Sequence, residues 1–343
     1  RAAGVEIIGD IELFARARPE LPPHKVVGIT GTNGKSTTTA LVHHILKTAG
    51  VPTAMGGNIG LPILAQDPLP EGGVYVLELS SYQIDLTHSL DCEIPVLLNI
   101  TPDHLDRYPD FDAYACSKGR IFDMSSSGTA ILGASDEASR SLAVWRRREL
   151  DRDVVQLIAP TFPDQHQWPA LAGPHNAQNI AAANSVCARL GLGPEQIEKG
   201  LRTYPGLPHR MERIREKDGV LFVNDSKATN AESAAPALAA YPRVRWIVGG
   251  QAKAETLGET ARHLGHVAAA YTIGEAGPMF ARLLRGAGVD VIECETLENA
   301  VKRAAEDSLS GETVLLSPAS ASFDQFRDFE ARGDRFRALV EGL

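Results

Sequence analysis

Cysteine is scarce and forms no pattern: Cys92, Cys116, Cys187 and Cys294 are scattered through 343 residues without a CxxC pair. That excludes a disulfide framework and a structural zinc site, and it suits a reducing compartment. Long apolar runs are missing as well. No stretch approaches the roughly 18 to 20 apolar residues that span a bilayer. The opening RAAGVEIIGD has neither the charged-then-apolar profile nor the cleavage site of a signal peptide. No membrane association and a cytoplasmic location are therefore expected. Basic residues are in deficit, 34 against 43 acidic, and the net charge of -9 denies nucleic acid its electrostatic driving force. No nucleic-acid partner is expected, and any phosphate site must be local. Internal repeats and low-complexity tracts are absent too. With 43% apolar and 22% charged residues the chain reads as an ordinary globular protein, not as a disordered or collagenous one.

The length favours two or three domains. Residues 1–21 hold a short extended piece, VEIIGD, and a helical piece, IELFARARPE, too few to build a core of their own. They are expected to be a remnant or linker from a preceding domain. From Lys25 the order is strand KVVGIT, a glycine-containing loop, helix STTTALVHHILKTAG, then strands VYVLELS and IPVLLNIT. Continuous apolar runs separated by helices predict parallel strands buried on both faces. A second block follows LRTYPGLPHR, whose two prolines and glycine mark a linker. Its strands VLFVNDS, VRWIVGG, AAYTIG, VDVIEC and TVLLSPAS alternate with helical stretches such as LENAVKRAAED. The expected fold class is α/β: a P-loop-type central domain with a mostly parallel sheet over 22–206, then a Rossmann-like C-terminal domain over 207–343.

Gly31, Thr32, Asn33, Gly34, Lys35, Ser36 and Thr37 lie between an apolar strand and a helix. The glycines let several backbone N–H groups point at one anion, and the helix N-terminus adds partial positive charge. Lys35 can reach the β- and γ-phosphates and the Ser36 hydroxyl can hold Mg²⁺. The spacing is not the full G-x-x-x-x-G-K-[ST], because Ile29 stands five before Gly34. The plainer alternative is a glycine-rich turn whose lysine lies on the surface. Glu78 ends the run VYVLEL, where an ionised side chain is costly unless it meets a cation; it reads as a Mg²⁺ ligand or as a cap for the SSYQ segment. His104, in the polar cluster TPDHLDRY, is a candidate second metal ligand or an ordinary loop residue. Lys118 falls on a helical stretch with one apolar face, where snorkelling is the simpler reading.

Six stretches occur in order between Gly31 and Glu212: GTNGKST, GGNIGLP, LELSSYQ, NITPDHLDRY, GPHNAQN and LPHRME. Together they resemble the ATP-dependent Mur ligases of bacterial cell-wall synthesis. The resemblance implies an acid–amino-acid ligase that phosphorylates a substrate carboxylate with ATP and lets an amine attack the acyl phosphate. It implies catalytic roles for Lys35, Glu78, His104 and Lys118, with Lys118 carbamylated rather than snorkelling. Two Mg²⁺ ions are implied, with Ser36, Glu78, His104 and the Lys118 carbamate as ligands. Asn176, Arg210 and Asp225 join the loop residues 31–37 in contacting ATP, with Asp225 on the ribose side. NDSKATN after VLFV and SPASASFDQF after TVLL resemble the D-glutamate-adding branch, and there is no DNPR-type signature for diaminopimelate. By that resemblance Lys227, Thr229, Lys253, Ser322 and Phe329 bind D-glutamate and Asn58 serves the second substrate, UDP-N-acetylmuramoyl-L-alanine, in peptidoglycan precursor synthesis. A monomer is expected.

Two features depart from the family's pattern: its N-terminal uridine-nucleotide domain has no counterpart in these residues, and Gln251 stands where relatives often have an acid. The alternatives are a folylpolyglutamate-synthase-like ligase, against which NDSKATN and SPASASFDQF argue, and a truncated ATP-binding module without turnover. No NKxD-like guanine signal supports a GTP switch.

Overall fold

Apolar runs with no polar alternation become the central strands of two separate sheets. The computed structural model describes residues 4–103, 107–126, 129–134, 136–150, 153–157, 162–171 and 173–343. The chain divides into two compact units, one of Arg1–Leu171 with His175–Tyr204, the other of Pro205–Leu343 with Ala172–Pro174.

In the first unit the elements are α1 (Asp10–Ala17), β1 (His24–Thr30), α2 (Lys35–Thr48), β2 (Thr53–Gly57), β3 (Gly73–Glu78), α3 (Ser81–Asp85), β4 (Ile94–Leu97), α4 (Phe111–Gly119), β5 (Thr129–Gly133), α5 (Glu137–Leu150), β6 (Asp153–Leu157), α6 (Pro174–Arg189) and α7 (Pro194–Thr203). The strands form one parallel sheet in the order β2-β3-β1-β4-β5-β6. All six residues of β3 and all four of β4 are buried, as strands covered on both faces require. Because β1 lies between β3 and β4, the chain segments leaving all three strands emerge side by side at one sheet edge. The sequence had suggested only β1, β3 and β4 here. β2, β5 and β6 are short, five residues each, and gain strand character only by pairing with neighbours far along the chain.

The second unit contains β7 (Glu212–Lys217), β8 (Val220–Asn224), α8 (Ala231–Ala240), β9 (Val244–Gly249), β10 (Val267–Ile273), α9 (Gly277–Gly286), β11 (Val291–Glu295), α10 (Leu297–Asp307), β12 (Thr313–Leu316) and α11 (Phe329–Glu341). Its sheet runs β11-β10-β9-β12-β8-β7, parallel except for β7, which pairs antiparallel with β8. The expected Rossmann-like run of five strands is therefore present, with one edge strand more. The hairpin that adds β7 turns at Asp218-Gly219, with φ of 53° and 76°, the two positive values that a tight two-residue hairpin favours. α8 and α9 cover one face of this sheet and α10 and α11 the other, each face with its own apolar core.

The segment before β1 is not a free strand of chain. Ile11, Phe14 and Ala15 on α1 are buried in the core of the first unit, beside Tyr75 and Leu77 of β3. Between them Glu12, 1% exposed, accepts hydrogen bonds from the backbone N–H of His88 (2.7 Å) and Ser89 (2.9 Å), from the Ser89 hydroxyl (2.8 Å) and from Arg16 (2.9 Å). Burial alone would raise the Glu12 carboxyl, but these four donors outweigh it and lower the group from its ordinary 4.5 to about 2. A depressed carboxyl stabilises the fold fully above its unfolded value and loses that contribution as pH falls towards 2. Glu12→Gln is expected to cost on the order of 2 kcal/mol at pH 7 and to leave a flatter decline in stability between pH 5 and 3 than the parent shows. Denaturant unfolding at each pH checks this, and a penalty that is the same at pH 7 and pH 3 would count against it.

Candidate active site

β1 delivers the chain to Gly31, and the loop to Gly34 is shaped by hydrogen bonds from the neighbouring strand end. Thr32 N–H donates to the Asn99 carbonyl (2.9 Å) and Asn33 N–H to Asn99 Oδ1 (2.8 Å), while Asn99 Nδ2 donates to the Asn33 carbonyl (3.0 Å). Gly34 is the N-cap of α2 at φ 84°, and a Cβ there would lie 2.3 Å from Asn179 Oδ1. Glycine is required on both counts. Asn179 in turn accepts from the Thr38 hydroxyl (3.2 Å) and donates to Asn176 Oδ1 (2.9 Å), so the predicted Asn176, 3% exposed, is tied through Asn179 to the helix of the loop. Ser36 is buried in the first turn of α2 and Thr37 follows it. Asn99 and Asn179 lay inside quoted motifs without an assigned role; their work is on backbone and side chains remote in sequence, which no spacing rule reveals.

Two lysines converge on one carbonyl. Lys35 Nζ donates to the Gly31 and Thr32 carbonyls at 3.0 and 2.9 Å, and Lys118 Nζ donates to the same Gly31 oxygen at 2.9 Å. Lys118 does not snorkel: it is 2% exposed, with its Nζ 4.8 Å from the centre of the Tyr114 ring. Burial, reinforced by the Lys35 charge, pushes the Lys118 amine down to about 7 against the opposing pull of Asp103, Glu78 and Asp85. Glu78, at the end of β3 and 2% exposed, accepts from Asn58 Nδ2 at 3.0 Å through Oε1, and its carbonyl accepts the Asn58 N–H at 2.8 Å. Its Oε2 is buried and has no hydrogen-bond partner among the described residues. The cap reading of Glu78 fails, because Ser80 and Gln83 form the capping box of α3. An orphaned anionic oxygen beside a hydroxyl-bearing phosphate loop fits one Mg²⁺, which binds through one or two carboxylates and completes its shell with substrate phosphates and water. Among the described residues no three His, Cys, Asp or Glu side chains gather into an all-protein metal cage. His104 lies outside the described residues.

In the second unit the two loops expected to bind an amino acid leave adjacent strands, β8 and β12. Asp225 is buried and accepts from the Ser317 hydroxyl (2.8 Å) and the Met211 N–H (3.1 Å). Burial raises its carboxyl to about 7, although Ser317, Met211 and the nearby Arg210 charge all favour ionisation. Lys227 Nζ sits 3.8 Å from the centre of the Phe329 ring, a cation–π contact. Thr229 is half-buried and Ser322 buried, whereas Lys253 and Gln251 are exposed on the segment after β9. Lys253 makes no hydrogen bond or ion pair with any described residue. The Gln251 backbone pairs with Ala321 through two 2.9 Å hydrogen bonds, a contact independent of its side chain.

The residue that unites these loops is Arg332, which sequence reasoning missed. It is 1% exposed on α11 and donates to the Ser226 hydroxyl (3.0 Å) and carbonyl (2.9 Å) and to the Ser320 (3.0 Å) and Ala321 (3.2 Å) carbonyls. Burial lowers its guanidinium to about 10. His209 was missed too. At φ 61° and 7% exposed, it places Nδ1 3.1 Å from Asn224 Nδ2 and accepts the Lys227 N–H at its carbonyl (3.0 Å).

A phosphate loop on a parallel sheet, followed by a Rossmann-like unit with two polar loops, defines the class: a two-unit nucleotide-dependent α/β protein. Residues 29–158 match the Mur ligase middle domain and 209–320 the glutamate ligase domain of Mur ligases. The chain belongs to the Mur ligase family. It is 58% identical over 345 residues to the UDP-N-acetylmuramoylalanine--D-glutamate ligase of Novosphingobium aromaticivorans, covering 100% of this chain and 78% of that protein. It is 56% identical to the enzyme of the same name from Zymomonas mobilis, covering 99% of this chain and 78% of that protein. Among solved structures, the MurF ligase of Thermotoga maritima in complex with ADP superposes with a TM-score of 0.68 at 19% identity, covering 97% of this chain and 84% of that one. A bifunctional folylpolyglutamate synthase/dihydrofolate synthase from Yersinia pestis, complexed with AMPPNP and Mn ion, gives 0.70 at 19%, covering 98% and 94%. At that identity the two structures speak for the fold alone.

Substitutions at two positions test this geometry. Gly34→Ala is expected to weaken ADP binding at least tenfold by calorimetry, because a methyl group must displace Asn179 while the backbone stays at positive φ, itself a cost of about 1–2 kcal/mol; unchanged affinity would refute the tight approach. Arg332→Met should destabilise the second unit by roughly 3 kcal/mol, since four backbone and hydroxyl oxygens lose their donor together. Denaturant unfolding should show Arg332→Lys recovering only part, an ammonium being unable to serve both loops as the guanidinium fork does.

Proposed function

We propose that this chain, a ligase of the D-glutamate-adding kind, joins D-glutamate to UDP-N-acetylmuramoyl-L-alanine at the expense of ATP. A carboxylate oxygen of the alanyl group attacks the γ-phosphorus and ADP leaves. The D-glutamate amine then attacks the acyl phosphate carbon, phosphate departs and the amine loses a proton, leaving an amide. The single observation that carries this reading is the 56–58% identity over the full chain to D-glutamate ligases. The domains are read as 22–206 for ATP and 207–343 for the amino acid, with 1–21 as the joining segment.

The residues' roles are those the family resemblance implies. Backbone N–H groups of 31–37 and Lys35 cradle and neutralise the phosphates, because phosphoryl transfer needs positioning and charge compensation more than covalent help. Lys35 must turn from the loop carbonyls to the phosphates for this. Ser36 and Glu78 hold Mg²⁺, which offsets charge on the β- and γ-phosphoryl oxygens when bound. His104 and Lys118 serve a second ion, the latter as a carbamate: an amine near 7 is partly uncharged at neutral pH, and the uncharged form is the one that adds to CO₂. Asn176, Arg210 and Asp225 contact the nucleotide. Asn58 faces the UDP-linked substrate. Lys227, Thr229, Lys253, Ser322 and Phe329 receive D-glutamate, whose two carboxylates call for a lysine and hydroxyl or N–H donors. The chain is read as a cytoplasmic monomer; no helix among the described residues is long and apolar enough to cross a membrane.

The test is phosphate release from Mg-ATP with UDP-N-acetylmuramoyl-L-alanine in bicarbonate buffer, with D-glutamate, L-glutamate or meso-diaminopimelate as acceptor. Release dependent on D-glutamate alone is expected. Release with a folate substrate instead, or with none, would overturn the reading.

A further inference from the structure

Asp85, the last residue of α3, has no part in the roles above, yet three segments meet on its carboxylate. Its Oδ2 accepts from the Tyr108 hydroxyl at 2.8 Å and its Oδ1 from the Ser117 hydroxyl at 2.7 Å. Arg120 Nη1 lies 3.7 Å from Oδ1 and Arg107 Nη2 4.0 Å from Oδ2. The Asp85 side chain is 24% exposed, so these partners enclose it on most sides.

Two of the segments that meet here carry a candidate cation ligand. Asp85 itself is joined to Glu78 by a short rigid path, since the Ser80–Gln83 capping box fixes α3 to the end of β3. Ser117 precedes Lys118 on α4, and on a helix adjacent side chains are about 100° apart. With Ser117 turned to Asp85, Lys118 is turned to the Gly31 carbonyl. Neighbouring contacts tighten the same arrangement. Arg107 stacks 4.4 Å over the Tyr82 ring of α3, the Tyr108 and Tyr114 rings lie 5.4 Å apart, and the Tyr114 hydroxyl is 3.1 Å from that of Thr32 in the phosphate loop.

We propose that Asp85 is a positioning residue: one carboxylate sets the mutual placement of the β3–α3 corner, the segment at 107–108 and α4, and through them the cation site. The inference rests on the assignment of Glu78 and Lys118 to that site. Two hydroxyls donate to this carboxylate and two guanidiniums lie within ion-pair distance of it, so an anion with two accepting oxygens suits all four; an amide would turn an NH₂ group towards donors and carry no charge. Loss of an outer partner of this kind usually weakens metal binding by about 10–100-fold.

The experiment compares the parent with Asp85→Asn, Asp85→Glu and Glu78→Gln in the full chain. Mn²⁺ binding in the presence of AMPPNP is read by electron paramagnetic resonance, and the half-saturating Mg²⁺ and the KM for D-glutamate by phosphate release. Asp85→Asn should weaken Mn²⁺ binding and raise the Mg²⁺ requirement about tenfold while KM for D-glutamate stays within about twofold, and Asp85→Glu should recover part of the loss. Unchanged Mn²⁺ binding in Asp85→Asn, or a lower melting temperature and kcat with both metal constants intact, would overturn the positioning role while leaving the site assignment standing. Intact Mn²⁺ binding in Glu78→Gln would overturn the site assignment, and this inference with it.

Discussion

The carbonyl oxygen of Gly31 is the point on which the first unit depends. It receives two ammonium groups, Lys35 from the first turn of α2 and Lys118 from α4. Burial of Lys118 disfavours its charged form, and repulsion between two cations on one neutral oxygen adds to the cost, which is why its amine falls to about 7. The surroundings answer that repulsion with acids at several distances, Glu78, Asp103 and Asp85, and with the face of the Tyr114 ring. The result is a concentration of positive charge at a helix N-terminus, in a unit that also holds a buried carboxylate oxygen of Glu78 with no hydrogen-bond partner among the described residues.

The second unit solves a different problem with one buried guanidinium. Loops leaving β8 and β12 are irregular and polar, and each has carbonyls that no strand satisfies. Arg332 reaches oxygens of both loops from α11, no carboxylate among the described residues is directly bound to it, and the nearby Asp324 charge opposes the effect of its burial. The Lys227–Phe329 contact lies along the same wall, and the Phe329 carbonyl accepts the Ser226 hydroxyl at 2.8 Å. The loops read as amino-acid binding from their motifs are thus rigid because of a residue outside both motifs.

Kinship and geometry contribute differently. The relatives carry the name of a D-glutamate ligase at identities that establish the family, while solved structures at 19% identity share the fold alone. The loops after β8 and β12 carry the two stretches, NDSKATN and SPASASFDQF, that resemble the D-glutamate-adding branch. The substitution at Gln251 touches that region lightly, because its fixed contact is made by the backbone.

The sequence by itself determined the α/β class, the phosphate loop, the long apolar strands and the order of the motifs, because these depend on local periodicity and on glycine at particular turns. It also placed Glu78 at a costly strand end, where its partnerless oxygen was found. Tertiary structure alone decided the rest. From its own residues Lys118 read as a snorkelling lysine; the resemblance implied otherwise, and the packing of α4 put its amine on the Gly31 carbonyl. The strands β2, β5, β6 and β7 exist through pairing, α1 belongs to the core through Glu12, and Asn99, Asn179, Asp85 and Arg332 act on partners up to 141 residues away in sequence. The physical reason is common to all of them: a buried polar group takes its role from the donors and acceptors that folding brings to it, and a linear pattern carries no record of those partners.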